Sequence, residues 1–419
     1  MARLPQPQRV LSGRALAAAR APLLVALVIG LAVSISLAQT VLTVLVVWVL
    51  LARWAGLLGR LRWPLLAPIL AFTAWSLVAA LASDHVTGSL YELKGLLSLG
   101  ALFVIVNALT DPAAARRFAV WLLLALTGAA VLGLVQVVAC PGPDAVGAAT
   151  PLVGKFLRKC TRARAFYSIY MTLAGVLAMM LASALPRLAR LGGEARWLGP
   201  AWLLSGAALG LTYVRGAWLG FAAGALTAAA GLGRRGLVAA AALVILGGGL
   251  VVGLPTVRAR METIGDPNND TARDRMAMIQ VGFEVVAAHP LTGIGPDGIK
   301  RVYPQLVPPE GLRRSTSHLH NTPLQIAAER GVVGFAAWLW IFVAFFSRAS
   351  TVWRRLPPEP PGDRALVLGS LAALVTFLVA GLFEYNFGDT EVLLVAVALM
   401  ALPFAVAGER VSADPCVPA

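Results

Sequence analysis

The stretch APLLVALVIGLAVSISLAQTVLTVLVVWVLLARWAGLLG at residues 21–59 decides the class of fold, because it holds a single charged residue. A membrane-spanning helix needs about 20 predominantly apolar residues, so this stretch predicts two such helices in succession. The basic residues before it would also suit a cleaved signal peptide. However, no small-x-small cleavage site precedes a soluble domain, and the second apolar run follows at once. We therefore interpret the first run as a membrane span.

The composition of the whole chain extends this interpretation. Of its 419 residues, 58% are hydrophobic and 13% are charged, whereas an ordinary soluble domain is about a quarter charged. The net charge of +15 is also typical of nucleic-acid-binding proteins. Here, however, the basic residues form short clusters between apolar runs, which is the pattern of membrane topology. The sequence thus predicts an all-α polytopic membrane protein.

Apolar runs of sufficient length predict about twelve transmembrane helices. They lie near residues 21–39, 41–59, 64–82, 94–110, 117–139, 166–185, 198–214, 216–233, 237–255, 331–348, 365–384 and 390–408. With the N-terminus in the cytoplasm, the arginine clusters fall in alternate short loops on the cytoplasmic side, as the positive-inside bias requires. These clusters are Arg60/Arg62, Arg116/Arg117, Arg187/Arg190/Arg196, Arg234/Arg235 and Arg348/Arg354/Arg355/Arg364. Both termini are therefore predicted to be cytoplasmic.

Two polar segments face the outer side and divide the chain. We predict transmembrane helices one to nine within residues 1–256, one large outer loop with amphipathic helices at 257–325, and the last three helices with a cytoplasmic tail at 326–419. The shorter outer segment, 140–165, carries basic residues at Lys155, Arg158, Lys159, Arg162 and Arg164. An anionic ligand at the membrane surface and a merely solvated loop both explain these charges.

The chain has three cysteines. Cys140 and Cys160 both fall in the shorter outer segment, where the compartment is oxidising, and Cys416 falls in the cytoplasmic tail. A disulfide between Cys140 and Cys160 fits this placement. The alternative is a pair of unbonded cysteines at the membrane edge, because too few further ligands lie nearby for a metal site.

The large outer loop contains one well-punctuated helix. Asp270 or Thr271 suits its N-cap, and His289-Pro290 marks its end. Apolar residues recur within it at helical spacing and predict the face that packs on the membrane domain. These residues are Met276, Ile279, Phe283 and Val286.

Two arginines, Arg273 and Arg275, lie in the first turn of this predicted helix. A helix N-terminus suits an anion because its free N–H groups and its dipole are positive, and arginine adds forked donors. An ordinary salt bridge to Asp270 or Asp274 explains either arginine equally well.

Another arginine lies where two predicted spans meet on the outer side. The stretch LTYVRGAWLGFAAG at 211–224 holds Arg215, with no acidic residue within ten positions. A charged side chain costs about 2 to 3 kcal/mol at the centre of the membrane. The cost is smaller near the hydrocarbon boundary, where the side chain can reach the interface. Such a residue is by default a functional one.

Two of the four histidines lie together in TSHLHNTPLQIAAERG at 316–331. His318 and His320 would share a side in an extended segment, but on a helix they would be about 200° apart. A zinc site needs a third ligand at a clear spacing, and none is present. His320, next to Asn321 and just before the helix that Pro323 opens, suits a general base. Histidines satisfied structurally at a loop–helix junction remain the alternative.

The last outer junction, GLFEYNFGDTEV at 381–392, places Glu384, Asn386, Asp389 and Glu391 between the final two spans. Acidic residues at a tight outer turn are explained by turn chemistry alone. Opposite an arginine-rich face, they would also orient those arginines.

These stretches together resemble the O-antigen ligase family, within the superfamily that it shares with O-antigen polymerases. The matching segments are VRGAWLG (214–220), RMAMIQVGFEVVAAHPLTGIGPDG (275–298), HLHNTPLQIAAERGVVG (318–334) and FEYNFGDTEV (383–392). Their order around one large outer loop carries the resemblance, which covers residues 200–350 most strongly. The twelve-span plan extends it to the whole chain.

The resemblance implies an inner-membrane glycosyltransferase of bacteria. Such ligases move a polysaccharide from undecaprenyl diphosphate to lipid A-core on the periplasmic side, without metal or other cofactor. Position by position, it implies that Arg215 and Arg275 hold the diphosphate, with Arg273 and Arg301 as further cations, and that His320 is the catalytic residue. Secondary roles fall to His318, Asn321, Glu384 and Asp389.

Two other functions fit the same residues. A polymerase of the same superfamily would join one repeat unit to the next and needs the same carrier, cations and base. A transporter for a lipid-linked anion would use the arginines for binding, but its His-Asn motif would be dispensable. The membrane lipids and the glycan donor and acceptor are the expected partners, and nucleic acid is not.

Overall fold

The computed structural model is helical, and no strand occurs among the residues that it describes. These residues are 6–140, 160–189, 195–234, 270–357 and 362–407, with scattered positions between 236 and 253. The helices are α1 (Gln6–Val33), α2 (Ile35–Trp54), α3 (Leu66–Leu81), α4 (Val86–Glu92), α5 (Leu97–Ala108), α6 (Pro112–Val138), α7 (Tyr170–Leu188), α8 (Ala195–Gly210), α9 (Arg215–Leu232), α10 (Asp270–Ala288), α11 (Ile299–Leu306), α12 (Thr322–Arg355), α13 (Gly362–Ala380) and α14 (Thr390–Ala407).

The structure confirms a polytopic all-α membrane protein. Within the described part of the chain, eight helical stretches are long and apolar enough to cross a membrane, and α3 is a shorter apolar helix. Every predicted span except the one at 237–255 overlaps a helix of the structure. That span lies largely outside the described residues, so the number twelve stays a prediction.

The helices α7, α13 and α14 form the centre of the bundle. Most of their residues are buried inside the protein, whereas α1 and α2 turn much of their apolar surface outward, as helices facing lipid do. Helix α9 packs closely on α13 because two of its residues lack side chains. A Cβ on Gly220 would lie 2.7 Å from Thr376 O, and one on Gly224 would lie 2.6 Å from Ala372 O. Small residues at this spacing let membrane helices approach each other closely.

Helix α10 in the outer loop begins and ends where the sequence predicts, but the prediction of its packed face is wrong. Met276 and Phe283 are 66% and 64% exposed. Met278, Val281 and Val285 are buried instead, in a small core that includes residues of α11 and of the first turns of α12. The helix carries apolar residues on two sides, so helical spacing alone could not decide which side packs. The partly buried Ile279 and Val286 lie at the edge of this core.

Helix α12 bends at Gly331, which has a φ of 68°. The bend interrupts the helical hydrogen bonds, and the preceding loop replaces some of them. Val332 N donates to Pro290 O at 2.8 Å, and the free carbonyl of Ala328 accepts from Ile294 N at 3.1 Å. The loop before α12 is therefore fixed to the first turns of the helix that follows the histidines.

Candidate active site

A glutamate links one histidine to one arginine at one end of the helix bundle. Glu384 lies in the junction between α13 and α14, and its Oε2 is 2.7 Å from His320 Nδ1. Its Oε1 accepts a hydrogen bond from Arg275 Nη2 at 2.8 Å. Arg275 also donates to the backbone carbonyl of Phe383. Three segments distant in the sequence thus meet in one chain of hydrogen bonds.

The charge of Glu384 decides how the histidine is oriented. Burial raises the pKa of Glu384, but hydrogen bonds and charges from His320 and Arg275 outweigh burial and hold this pKa below its usual range. The carboxylate is therefore ionised and accepts from Nδ1, which must carry the proton. Whenever the ring is neutral, this leaves Nε2 as the hydrogen-bond acceptor.

The backbone around His320 is held by the same junction. Asn321 caps α12 by accepting from Leu324 N at 2.9 Å, and its amide donates to Leu382 O at 3.1 Å. Thr322 donates its N–H to Gly381 O at 2.7 Å and its hydroxyl to Glu384 O at 2.8 Å. His320 itself has a φ of 49°, in the left-handed region, which an ordinary residue adopts only when its surroundings fix it.

His318 lies against His320 and not on an opposite face. Helix α12 begins only at Thr322, so both histidines belong to the preceding loop, and their ring centroids are 4.3 Å apart. The His318 ring is also 5.8 Å from that of Tyr385. Its buried Nδ1 has no hydrogen-bond partner among the described residues. Burial, with the nearby charge of His320, lowers the pKa of His318 to about 4, so this ring is neutral at pH 7.

Arg215 is the first residue of α9 and is half-buried. The residue after it contacts the junction that carries Glu384, because a Cβ on Gly216 would lie 2.6 Å from the Cβ of Phe383. The carbonyl of this same Phe383 accepts from Arg275. The structure thus brings the start of α9 to the segment that holds Arg275 and His320.

Two cavities flank the histidine pair. The larger, of about 1130 Å³, extends from His318 and Glu384 between α2, α5 and α14. The smaller, of about 390 Å³, is lined by both histidines together with Arg164 and Arg313. His318 forms part of the wall of both. His318 is therefore accessible from both cavities, whereas His320 lines only the smaller one.

Residues 200–339 match the family model described as O-antigen ligase. Over these residues the chain is similar to the O-antigen ligase family. A search of curated proteins finds no match. The protein is thus a multi-pass membrane enzyme of the glycosyltransferase type in the O-antigen ligase and polymerase group.

The O-antigen ligase match contains Arg215, Arg275 and His320 but ends before Glu384. Glu384, which joins Arg275 to His320, therefore comes from the junction between the last two membrane helices, outside the matched residues. The similarity of FEYNFGDTEV to the family already indicated a role for this junction. Its sequence could not indicate which cation Glu384 would contact.

The other two predicted cations make no contact with the histidines. Arg273 is exposed, and it has no hydrogen bond or ion pair with any residue in the described ranges. Arg301 lies against α4, where its Nη1 would be 3.5 Å from a Cβ on Gly88. The alternative of salt bridges within α10 is wrong, because Asp274 pairs with Arg313 at 3.3 Å and Arg275 with Glu384.

Asp389 has a clear structural role. Its Oδ1 accepts from the backbone N–H groups of Glu391 and Val392 at the start of α14, and its Oδ2 accepts from the Thr172 hydroxyl at 2.6 Å. Burial raises the pKa of Asp389 despite these hydrogen bonds. The side chain therefore fixes α14 against α7 at the edge of the larger cavity.

The first outer segment is closed by a disulfide. Cys140 and Cys160 are bonded, with their Cα atoms 5.4 Å apart. The Gln136 amide then holds the following loop through two hydrogen bonds to the backbone of Ala165, at 2.8 and 3.0 Å. This fixes Arg164 at the smaller cavity. Residues 141–159 and Cys416 lie outside the described residues. Within the described residues, no group of three or more potential metal ligands occurs.

Some charged residues of the site were not singled out from the sequence. Glu329 and Arg330 form a buried ion pair at 3.1 Å. The Gln325 amide donates a hydrogen bond to Glu329, and the Ser76 hydroxyl accepts one from Arg330. A pair of charges inside an apolar segment was the available signal, because such charges are costly unless paired. Arg313 gave no such signal, since it lies in a polar loop.

Proposed function

We propose that this protein is an O-antigen ligase, which transfers a polysaccharide from undecaprenyl diphosphate to lipid A-core. The hydrogen-bonded chain from Arg275 through Glu384 to His320 carries the proposal, because it joins a cation suited to a diphosphate with a base suited to a sugar hydroxyl. The match of residues 200–339 to the O-antigen ligase family model supports it.

The proposed site faces the periplasm at the outer edge of the bacterial inner membrane. Support comes from where the arginines lie along the helices. The site is formed at the starts of α9, α12 and α14 and the end of α13, whereas Arg354 and Arg355 lie at the opposite end of α12. Arg116 pairs with Asp363 at that opposite end too. Because basic residues favour the cytoplasmic side, this distribution supports a periplasmic position for the histidines.

The proposed reaction is a single displacement. The acceptor hydroxyl oxygen forms a bond to the anomeric carbon of the donor sugar, while the bond from that carbon to the diphosphate breaks and its electron pair leaves with the diphosphate. The hydroxyl proton passes to Nε2 of His320, which Glu384 holds in the required tautomer. Glu384 also stabilises the positive ring that results, and the anomeric configuration is inverted.

The leaving diphosphate needs positive charge, and we assign this role to Arg215 and Arg275. Arginine has five N–H donors in a fixed fork, and two groups of Arg275 are engaged by Glu384 and Phe383. The Arg275 side chain is 31% exposed, and it keeps further N–H donors beyond these two hydrogen bonds. Two guanidinium groups would neutralise the developing charge without a metal ion. Arg273 and Arg301 stay predictions for this role.

Deletion of the gene, followed by analysis of lipopolysaccharide and of carrier-linked glycan, tests the proposal. Loss of a ligase leaves bare lipid A-core and accumulates long polymer on undecaprenyl diphosphate. Loss of a polymerase leaves core that carries one repeat, and loss of a transporter leaves carrier-linked units on the cytoplasmic side. Either of these two outcomes would overturn the assignment. To test the chemistry, glycan transfer by the purified protein is measured in excess chelator, and the configuration of the new linkage is determined by NMR. We expect transfer to continue and the linkage to be inverted.

A further inference from the structure

A pair of buried charges in α12 takes no direct part in the proposed reaction. Glu329 and Arg330 are 2% and 5% exposed, and Arg330 Nη1 donates to Glu329 Oε2 at 3.1 Å. Two residues of α3 hold the arginine: the Ser76 hydroxyl accepts from Arg330 Nε at 3.1 Å, and the Trp75 indole donates to Arg330 O at 2.8 Å. A buried ion pair is often no more stabilising than apolar residues of similar size, so stability alone does not explain this one.

Hydrogen bonds connect the ion pair to the backbone between the two histidines. Glu329 Oε1 accepts from Gln325 Nε2 at 2.8 Å, and Gln325 Oε1 accepts from Leu319 N at 2.8 Å. Gln325 and Leu319 are each only 1% exposed. A break in this chain would leave a buried donor or acceptor unpaired, which is more costly than the hydrogen bond itself is stabilising.

The ion pair also decides which end of the Gln325 amide faces the histidines. A carboxylate paired with an arginine only accepts hydrogen bonds, so the NH₂ group of the amide faces Glu329. The amide oxygen then faces Leu319 N, a donor that requires an acceptor. The opposite orientation would place two donors together at Leu319 and two acceptors together at Glu329. Arg330 supplies the countercharge that favours the carboxylate form.

The chain ends next to the residue whose backbone is strained. Leu319 directly precedes His320, which has a left-handed φ of 49°. Such a conformation persists only where the surroundings fix it. After His320, Asn321 caps α12 and donates to the junction between α13 and α14. Before His320, the N–H of Leu319 is held by Gln325 of α12. The backbone of the proposed base is thus anchored on both sides.

We infer that Gln325 is a positioning residue for His320, and that the buried pair of Glu329 and Arg330 holds the Gln325 amide in the orientation that this role requires. The role rests on the proposed function, in which His320 is the base. A general base must lie within hydrogen-bond reach of the proton that it takes, and a displacement of about 1 Å can lower a rate about a hundredfold. Gln325 acts through the backbone of Leu319 and takes no part in the chemistry.

Steady-state kinetics of the full-length protein in proteoliposomes test this role, with undecaprenyl-diphosphate-linked polymer as donor and lipid A-core as acceptor. Gln325→Met keeps the length of the side chain but removes both of its polar ends. We expect kcat to fall about tenfold to a hundredfold, with both KM values unchanged because the proposed diphosphate ligands are untouched. The pH profile of kcat should change too, since the contact between His320 and Glu384 is loosened. Thr127→Val, which removes a buried hydrogen bond to Ser205 outside both cavities, is the matched control and should leave kcat and its pH profile unchanged.

An exchange of two side chains tests the orientation of the amide. Gln325→Glu alone brings two carboxylates together, and Glu329→Gln alone removes the countercharge of Arg330, so each should lower kcat about tenfold or more. The double variant Gln325→Glu/Glu329→Gln gives every donor an acceptor again. Its carboxylate accepts from Leu319 N and from the new amide, and the oxygen of that amide accepts from Arg330. We expect its kcat to lie within about threefold of the wild type, a coupling that independent sites would not show.

Hydrogen exchange at Leu319, measured by mass spectrometry, gives a readout that does not depend on the glycan transferred. The peptide that contains Leu319 should exchange faster in Gln325→Met than in the wild type, but not in Thr127→Val. A wild-type kcat and pH profile in Gln325→Met, or a double variant no more active than its two parents, would overturn the positioning role. Where Gln325→Met fails to insert, the double variant and its parents decide. Failure of the wild type to transfer polymer to lipid A-core refutes the ligase function, and unchanged exchange at Leu319 would then refute the anchor separately.

Discussion

His320 Nδ1 and Glu384 Oε2 are 2.7 Å apart, although two candidate membrane-spanning helices, α12 and α13, separate the residues along the chain. This pairing fixes which nitrogen of His320 carries the proton and leaves Nε2 able to accept a hydrogen bond. Because Glu384 also holds Arg275, the proposed base and one proposed diphosphate ligand are positioned by the same carboxylate. Several outcomes of mutagenesis depend on this arrangement.

The first prediction separates the two histidines. His320→Ala should lower the rate of glycan transfer by about a hundredfold to ten-thousandfold, the usual contribution of a general base, while the carrier still binds. His318→Phe keeps a ring against His320 and should retain most activity. Transfer rates and binding of labelled carrier in membranes measure both. Equal loss in the two variants would contradict the assignment of the base to His320.

The second prediction concerns the glutamate that orients the base. Glu384→Gln keeps the size of the side chain but removes its charge, so the ring tautomer and the support for the positive ring are lost. We expect kcat to fall by about a hundredfold or more, with a smaller change in the KM for the acceptor. The pH profile of kcat should change as well, which a purely structural role would not cause. Near-normal kcat with an unchanged profile would refute the role.

The third prediction concerns the arginine at the start of α9. Arg215→Lys keeps the positive charge but loses the planar fork that grips a diphosphate. Activity should fall by about a hundredfold to a thousandfold, as for loss of one donor to a developing anion, with normal membrane insertion. Arg355→Lys, at the far end of α12, is the control. Near-normal activity in Arg215→Lys would point to an anchoring arginine.

The fourth prediction concerns the disulfide in the first outer segment. Cys140 and Cys160 should resist thiol reagents added from outside until a reductant is present, and Cys416 should not need reduction. Replacing both by serine removes a cross-link over 20 residues and should lower the free energy of unfolding by about 3 kcal/mol. Labelling of both cysteines without reductant would rule out the bond.

The fifth prediction follows from the pKa of His318, which burial lowers to about 4. The unfolded chain binds this proton with a pKa near 6.5, so between these values the unfolded state holds more protons than the folded state. Stability should therefore fall as the pH drops from about 6.5 to 4, by about 3 kcal/mol from this group. Thermal unfolding in detergent at several pH values measures it. The drop should be smaller in His318→Phe, and identical pH dependence in the two proteins would contradict the prediction.

The amino-acid sequence by itself determined the elements of this protein. Runs of apolar residues located the membrane helices, because the thickness of the bilayer sets their length. Local signals also fixed the bounds of α10 and the start of α12, since Asn321 caps that helix through its own neighbours. Such signals act over a few residues, so they can be read without knowledge of the fold.

Only the tertiary structure decided which charges and faces meet. The sequence could not tell that Glu384 pairs with Arg275 and His320, or that Asp274 pairs with Arg313, because these partners lie far apart along the chain. Helical spacing likewise offered two apolar sides of α10 and could not choose between them. Long-range pairs depend on how the membrane helices pack, and that packing depends on shape and small residues across the whole bundle. The hydrophobic pattern does not encode these contacts.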